Sequence, residues 1–321
     1  MNEKDIMLAV NDLDEELLNI EEKPKKLRGS WKVLIAAALI MVFSVTAYAI
    51  GNITTSYNTK VVDANGLWQL YYGDIEEAEF YEMTVEYKLE PRKISEEFYS
   101  DCVAALKYNY ETIQRTYRDY EGKEYILREG DELWASLSFY SDETDEINSY
   151  TVEELEEYTG LELCISEEMR EGINKIAALR KAGKTNMQPC NITMTGKKVS
   201  EEQGGFVPLG FTISFDVDYD GKGNFVHGTA YVSLSEEATT ASDYWNSFEK
   251  EGKWTEKIMK TDSGREIYFI HNDPEEGFKS HARACWTENG IGYVAYTDMA
   301  YDWERKDEAV KHLKPFVENI E

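Results

Sequence analysis

The sequence predicts an α+β protein: a single transmembrane helix followed by an extracytoplasmic domain of mostly antiparallel sheet and a few packed helices. Three observations predict it. Residues Trp31 to Ile50 form an apolar run of the length that crosses a bilayer core, about twenty residues. Basic residues flank that run on one side only. Beyond it, strand-like segments outnumber helical patterns, and runs of strands with segregated helices indicate α+β architecture. The expected organisation is a cytoplasmic acidic arm at residues 1–30, a span at 31–50 and an extracytoplasmic region at 51–321, with 141–150 as the candidate boundary between two subdomains.

In the arm, Ile6, Val10, Leu13 and Leu17 recur at helical spacing along one stripe, while Asp5, Asp12, Asp14, Glu15 and Glu16 take the other side. A helix of about fifteen residues is marginal alone in water, so the stripe calls for a partner. Its acidic face disfavours an anionic membrane surface and favours a basic cytoplasmic protein. A disordered acidic tail with chance periodicity is the other reading.

Lys23, Lys25, Lys26, Arg28 and Lys32 stand at the leading edge of the apolar run, and no charge follows it until Lys60. The positive-inside bias therefore places the N-terminus in the cytoplasm. A buried core helix seldom runs this long without a polar face. Ala47-Tyr48-Ala49 has the small-x-small form of a signal-peptidase site, but the segment before the run is long and acidic where secretory leaders are short and basic. Anchored or cleaved, the remainder of the chain is expected outside the cytoplasmic membrane.

After the span, polar residues to about Lys60 read as a stalk, and Val61-Val62 and Leu67 to Tyr71 flank the hairpin signal Asn65-Gly66. Glu82 to Leu89 is a strand candidate. Pro91 interrupts it, and Ser95 caps a helix of about twenty residues on which Phe98, Cys102, Leu106, Ile113 and Tyr117 share a face. Strands are expected near Glu124 to Arg128 and Leu133 to Tyr140. Thr151 and Glu154 form a capping box for a short helix that Gly160 ends, and Ser166 opens another with Met169, Ile173, Ile176 and Ala177 on one side and Gly183 closing it. Further strands are expected at 190–199, 207–219, 224–234, 265–271, 281–287 and 291–297. A final helix carries Ala309, Leu313, Phe316 and Val317 on one face, with Pro315 kinking or shortening it.

Residues 1–49 resemble the start of a group of single-pass membrane proteins of Gram-positive bacteria, in which an acidic arm of the form N-D-x-D-E-E-L precedes a basic patch, Trp-Lys and an Ala-rich span. Tyr150 to Leu161 resembles a helical element of the outer domains of that group. Cys285 to Tyr293 resembles their closing W-x-x-x-G-x-x-Y hairpin. The resemblance implies an anti-sigma-factor-like regulator whose outer domain has no assigned function, with a sigma factor as the partner of residues 1–30. Those residues contain neither His nor Cys, so the zinc-binding cluster of the best understood anti-sigma factors has no counterpart in the arm.

The chain's 321 residues carry a formal net charge of −28, which argues against nucleic acid as a partner, since phosphate backbones are met by clustered Lys and Arg. Disorder is countered by a hydrophobic content of 42%. Asp216, Asp218, Asp220 and Gly221 spell the first half of a calcium loop, the one cofactor suggestion in the chain. The twelfth loop position is His227 where a bidentate Glu is required, and the flanks read as strands. The favoured reading is a hairpin with Phe215, Val217 and Tyr219 inward and the three Asp outward. His281 and Cys285 share a face of one strand, with no second metal-binding pair nearby. Cys102, Cys164, Cys190 and Cys285 allow either two disulfides or four buried thiols. Nucleophile-elbow, phosphate-loop and metalloprotease motifs do not occur, so a catalytic role is not expected. The 22 Tyr and 7 Trp either stack on wall sugars or, as strands favour, pack in sheets. The functional expectation is a membrane-anchored regulatory or sensory protein with an extracytoplasmic domain for an unknown ligand. The alternative is a surface binding module for wall glycan or protein with no signalling role.

Overall fold

The computed structural model describes residues 48–50, 52–63, 77–122, 124–137, 147–218, 225–248, 252–260, 266–272, 281–298 and 308–318. The arm with its stripe Ile6, Val10, Leu13 and Leu17, most of the predicted span, the Asn65-Gly66 turn and Asp220 lie outside them. The chain divides into Met1–Val42 and Phe43–Glu321, and every element below belongs to the second unit.

The strands are β1 (Tyr48–Ile50), β2 (Ile53–Asp63), β3 (Glu77–Lys88), β4 (Glu132–Ser136), β5 (Cys190–Lys198), β6 (Phe206–Asp218), β7 (Phe225–Ser233), β8 (Thr240–Phe248), β9 (Trp254–Lys260), β10 (Glu266–Asn272), β11 (His281–Glu288) and β12 (Ile291–Asp298). The helices are α1 (Glu96–Glu121), α2 (Val152–Thr159), α3 (Glu167–Lys181), α4 (Glu308–Leu313) and α5 (Pro315–Glu318). Among the described residues the strands form an eight-stranded sheet in the order β4-β5-β6-β7-β12-β11-β10-β9 and a four-stranded sheet in the order β1-β2-β3-β8. All pairings are antiparallel. The fold is therefore α+β, with few helices.

Capping residues set the helix boundaries. Ser95 is the N-cap of α1 and accepts from Phe98 N at 3.0 Å. Thr151 and Glu154 satisfy each other's backbone N–H at the start of α2. Ser95 also joins the two helices: its N–H donates to Thr159 O at 2.9 Å and its hydroxyl to Tyr158 O at 2.6 Å. Gly160, with φ of 74°, ends α2, and a Cβ there would sit 3.0 Å from Ser95 N, so the close crossing also requires glycine. Between α2 and α3, Arg170 bridges Glu153 and Glu156 at 3.1 and 3.0 Å. Lys181 meets Glu154 at 2.5 Å and holds its carboxyl below the usual range. The last helix is broken at Lys314-Pro315, because proline supplies no N–H to continue the first helical segment.

Burial follows from three layers. Helices cover one face of the eight-stranded sheet, where Phe98, Leu106, Met169 and Ile173 pack with Ile192, Phe211, Phe215, Ala230 and Tyr293 in one core. The four-stranded sheet covers part of the other face, where Met83, Val85, Tyr87 and Trp245 meet Trp254, Tyr268, Ile270, Cys285 and Val294 in a second core. Strands covered on both sides lose the in–out alternation: β10 is buried at five of its seven positions. β4 and β5 alternate instead, since only their helix-facing side is covered.

Several expected boundaries move. The predicted stalk is the long strand β2, whose polar Thr54, Ser56 and Asn58 fall on a sheet with one outward face. Tyr48–Ile50, assigned to the span, is β1, paired to β2 with Ile50 opposite Ile53, and the rest of the predicted span, residues 31–47, lies outside the described residues. Among the described residues no helix is long and apolar enough to cross a membrane. Residues 124–128 alternate in exposure like a strand yet pair with none; Tyr125 packs on Tyr110 and Tyr117 of α1. β8 and β9 had no expected counterpart. Segment 141–150 does not separate the sheets, since β4 before it pairs with β5 beyond it and β8 beyond it pairs with β3 before it.

The sheets approach most closely at Gly292, where an added Cβ would lie 3.0 Å from Cβ, Cγ and Cδ1 of the fully buried Tyr87. Gly292→Val is expected to lower stability by about 1–3 kcal/mol, the usual cost of overpacking, read as a reduced urea midpoint at unchanged slope.

Candidate functional site

The helix-free face of β4 to β7 is polar by sequence alternation. Glu132 and Trp134 on β4, Thr193 and Thr195 on β5, Thr212 on β6 and Tyr231 on β7 all fall on the side opposite the helix core. Among the described residues the four-stranded sheet covers only the β7-to-β9 half of this face, and a cleft of about 370 Å³ opens beside its edge strand β8. The cleft is bounded by Thr193, Thr195 and Thr212 on one side and by Glu237, Thr240 and Ala241 on the other, with Tyr231 between and Glu132 at an end.

Backbone devices hold this opening. The β5–β6 register shifts at Thr195/Gly196, a bulge of the kind that redirects a strand. Gly210 lies so near β7 that a Cβ would come within 2.7 Å of Val232 O. The crossing from β3 to α1 is tied down by Leu89 N to Thr239 O at 2.7 Å, Glu90 N to Gly290 O at 3.0 Å and Arg92 N to Ser233 O at 2.8 Å. Trp134 does not line the cleft but is the ladder partner of the lining residue Thr195; it is 64% exposed, although its neighbours Leu133 and Ala135 are buried. Glu237 is paired with Lys197.

Tyr231 connects the cleft to the interior. Its hydroxyl donates to Asp243 Oδ1, and its ring stacks on Tyr87 with centroids 5.3 Å apart. Behind Asp243, the Arg283 guanidinium lies 4.6 Å from the Trp245 ring, 4.5 Å from Tyr296 and 5.9 Å from Trp254, a cation enclosed by aromatic faces. Burial pushes the Asp243 carboxyl above the usual range against the opposing pull of the Tyr231 and Tyr87 hydroxyls and the Arg283 charge. Burial likewise raises the Tyr87 and Tyr231 phenols and the Cys285 thiol, so none supplies a nucleophile near neutral pH.

The residues singled out from sequence are distributed elsewhere. Asp216 and Asp218 lie on β6, with Asp216 opposite His227 and bonded to its Nδ1 at 2.5 Å. The His ring stacks on Tyr296 at 4.9 Å. The residue that breaks the calcium-loop pattern is thus the cross-strand partner of the loop's first Asp. Among the described residues no group of three or more His, Cys, Asp or Glu is placed to hold a metal. His281 and Cys285 share one face of β11 with Arg283 between them. None of the four cysteines forms a disulfide and all are buried, and burial alone drives Cys190 to about 12.

Sequence reasoning did not assemble Trp134, Thr193, Thr212, Tyr231 and Asp243. Residues 190–199 read as a strand, but nothing local says that a second sheet stops beside it. Comparison with known proteins returned no match: no family model, curated protein or solved structure is similar to this chain.

Asp243 has a testable signature. Because its carboxyl is raised in the fold, the folded state holds the proton more tightly than the unfolded chain does. That contribution to stability is complete below the unfolded carboxylate value and is lost as pH rises through the folded one. The urea midpoint of Asp243→Asn relative to the parent is therefore expected to rise as pH increases above about 4. A pH-independent difference would show that Asp243 titrates normally.

Proposed function

We propose that the chain is a single-pass membrane protein of regulatory or sensory type, anti-sigma-factor-like, with residues 1–30 as its cytoplasmic arm and the two-sheet domain as an extracytoplasmic ligand sensor. The observation that carries this reading is the position of β1. Residues 48–50 are an edge strand of the four-stranded sheet, so the chain following the proposed span enters the domain through a hydrogen-bonded strand and not through a stalk. The opposite edge of that sheet, β8, carries Asp243, which bonds to Tyr231 at the cleft. A change at the cleft thus has a continuous route, through β8, β3, β2 and β1, to the residues beside the span.

The one-sided basic flank and the acidic arm support the same orientation, as does the resemblance of residues 1–49 to membrane-bound regulators. A surface binding module would share the cleft and the anchor but have no use for the stripe Ile6, Val10, Leu13 and Leu17. The arm therefore separates the two readings.

Protease added to intact cells is expected to remove the domain while sparing an epitope at the N-terminus; digestion of neither part would refute the orientation. The full-length protein is expected to co-purify with a sigma factor or another basic cytoplasmic protein, and Leu13→Asp with Leu17→Asp is expected to abolish that capture. Capture of no cytoplasmic protein by the unaltered arm would leave the binding module as the better description.

A further inference from the structure

We infer that the cleft beside β8 is a binding site for an uncharged oligosaccharide, with the Trp134 indole as stacking platform and the Thr193, Thr195 and Thr212 hydroxyls and the Glu132 carboxylate as hydrogen-bonding partners. The inference deepens the sensor reading and rests on it only for the side of the membrane on which the sugar is met.

Four observations select this chemistry. The cleft volume of about 370 Å³ lies within the range of small-ligand sites, roughly 300–1,000 Å³. Its sheet side carries hydroxyls, groups that donate and accept alike and so match a ligand that is itself a set of hydroxyls. Glu132 at the cleft end, exposed and on the same strand face as Trp134, supplies an acceptor for paired sugar hydroxyls. Trp134 lies two residues from Glu132 and opposite Thr195, so a flat apolar surface stands beside the polar lining, as a pyranose with one apolar face requires.

Charge removes the nearest alternatives. Glu132 disfavours an anionic sugar or phosphate, and the surplus of acidic residues in the chain adds to that repulsion. A cation would require converging carboxylates. Glu237 is already neutralised by Lys197, and among the described residues no cluster of three acidic or other metal-binding groups occurs. The remaining lining is hydroxyl and apolar. Tyr231 at the base of the cleft is committed to Asp243 and gives a bound sugar contact with the β8 edge of the small sheet.

The test uses the full-length protein in detergent, titrated by calorimetry and on glycan arrays with the neutral hexasaccharides of glucose and N-acetylglucosamine in α- and β-linkage, with hexagalacturonate as anionic probe and spermine as cationic probe. At least one neutral hexasaccharide is expected to bind. Trp134→Ala is expected to weaken it about tenfold, the loss of one stacking contact, and the isosteric Thr193→Val to weaken it severalfold. Both positions lie on the uncovered face, and retention of the parental thermal midpoint verifies that each variant is folded. Failure of every neutral hexasaccharide to bind, binding that survives both substitutions, or preferential binding of hexagalacturonate or spermine would each overturn the assignment. The protease experiment on intact cells is read separately. A domain inaccessible from outside that still binds a neutral sugar through Trp134 keeps the cleft assignment and removes the sensor topology, whereas an accessible domain without sugar binding does the reverse.

Discussion

An eight-stranded antiparallel sheet has two faces, and the remainder of this fold follows from covering them unequally. Helices α1 to α5 lie on one face, where the alternating residues of β4 to β7 and β12 to β10 supply a continuous apolar surface. Among the described residues the other face receives only a four-stranded sheet, enough for the half that runs from β7 to β9. Where both faces are covered, alternation disappears and strands such as β10 are buried almost throughout. Where one face is free, every second residue must tolerate water, and threonine satisfies both the β-propensity of the strand and the solvent. The cleft is a consequence of that arithmetic of coverage: it opens where the second sheet stops.

The contact between the sheets is not uniformly apolar. At its centre Tyr87 lies against Gly292, and beside it Asp243, Tyr231 and Arg283 form a polar group walled by Trp245, Trp254 and Tyr296. A buried carboxyl and a guanidinium with hydroxyl and aromatic partners contribute less to net stability than apolar packing would, because such polar groups lose hydration. They do restrict geometry: a carboxyl on β8 that must meet a phenol on β7 permits fewer relative positions of the two sheets than an oily interface does. That restriction gives the small sheet a defined position beside the cleft, and the strand β1 at its far edge is where the described chain begins.

Two segments that resemble parts of membrane-bound regulators have local structural causes. In the closing hairpin, Trp286 and Tyr293 are cross-strand partners with rings nearly parallel at 7°, and both reach Cys164: the indole N–H donates to its carbonyl and its own N–H donates to the phenol. Asn289 and Gly290 between them adopt positive φ, as a tight hairpin requires. In the α2 element, the capping box and Gly160 fix the ends, and the Tyr158 hydroxyl donates to Asp101 at 2.6 Å to hold α2 against α1. Such motifs encode packing, which is why they carried no chemistry when read as sequence.

Elements whose signals are local were legible in the amino-acid sequence alone. Ser95, Thr151 and Ser166 announce helix starts because a cap is satisfied within its own turn, and the strands from Cys190 to Val232 announce themselves by alternation. Strand β8 did not, since Thr240 to Phe248 mixes small, acidic and aromatic residues and becomes a strand only by pairing with β3, far away in the chain. The part of β2 up to about Lys60 read as a stalk for the same reason: its partner lies beyond a long connection. The candidate site belongs wholly to this second kind. Sequence alternation determined that Asp216 and Asp218 point away from the core, and the β5–β6 register places Thr193 and Thr212 on one face. Only the tertiary structure decided that Trp134 joins them, that Tyr231 reaches Asp243, and that the cover ends there, because which face stays open depends on the finite width of a second sheet assembled from both ends of the domain.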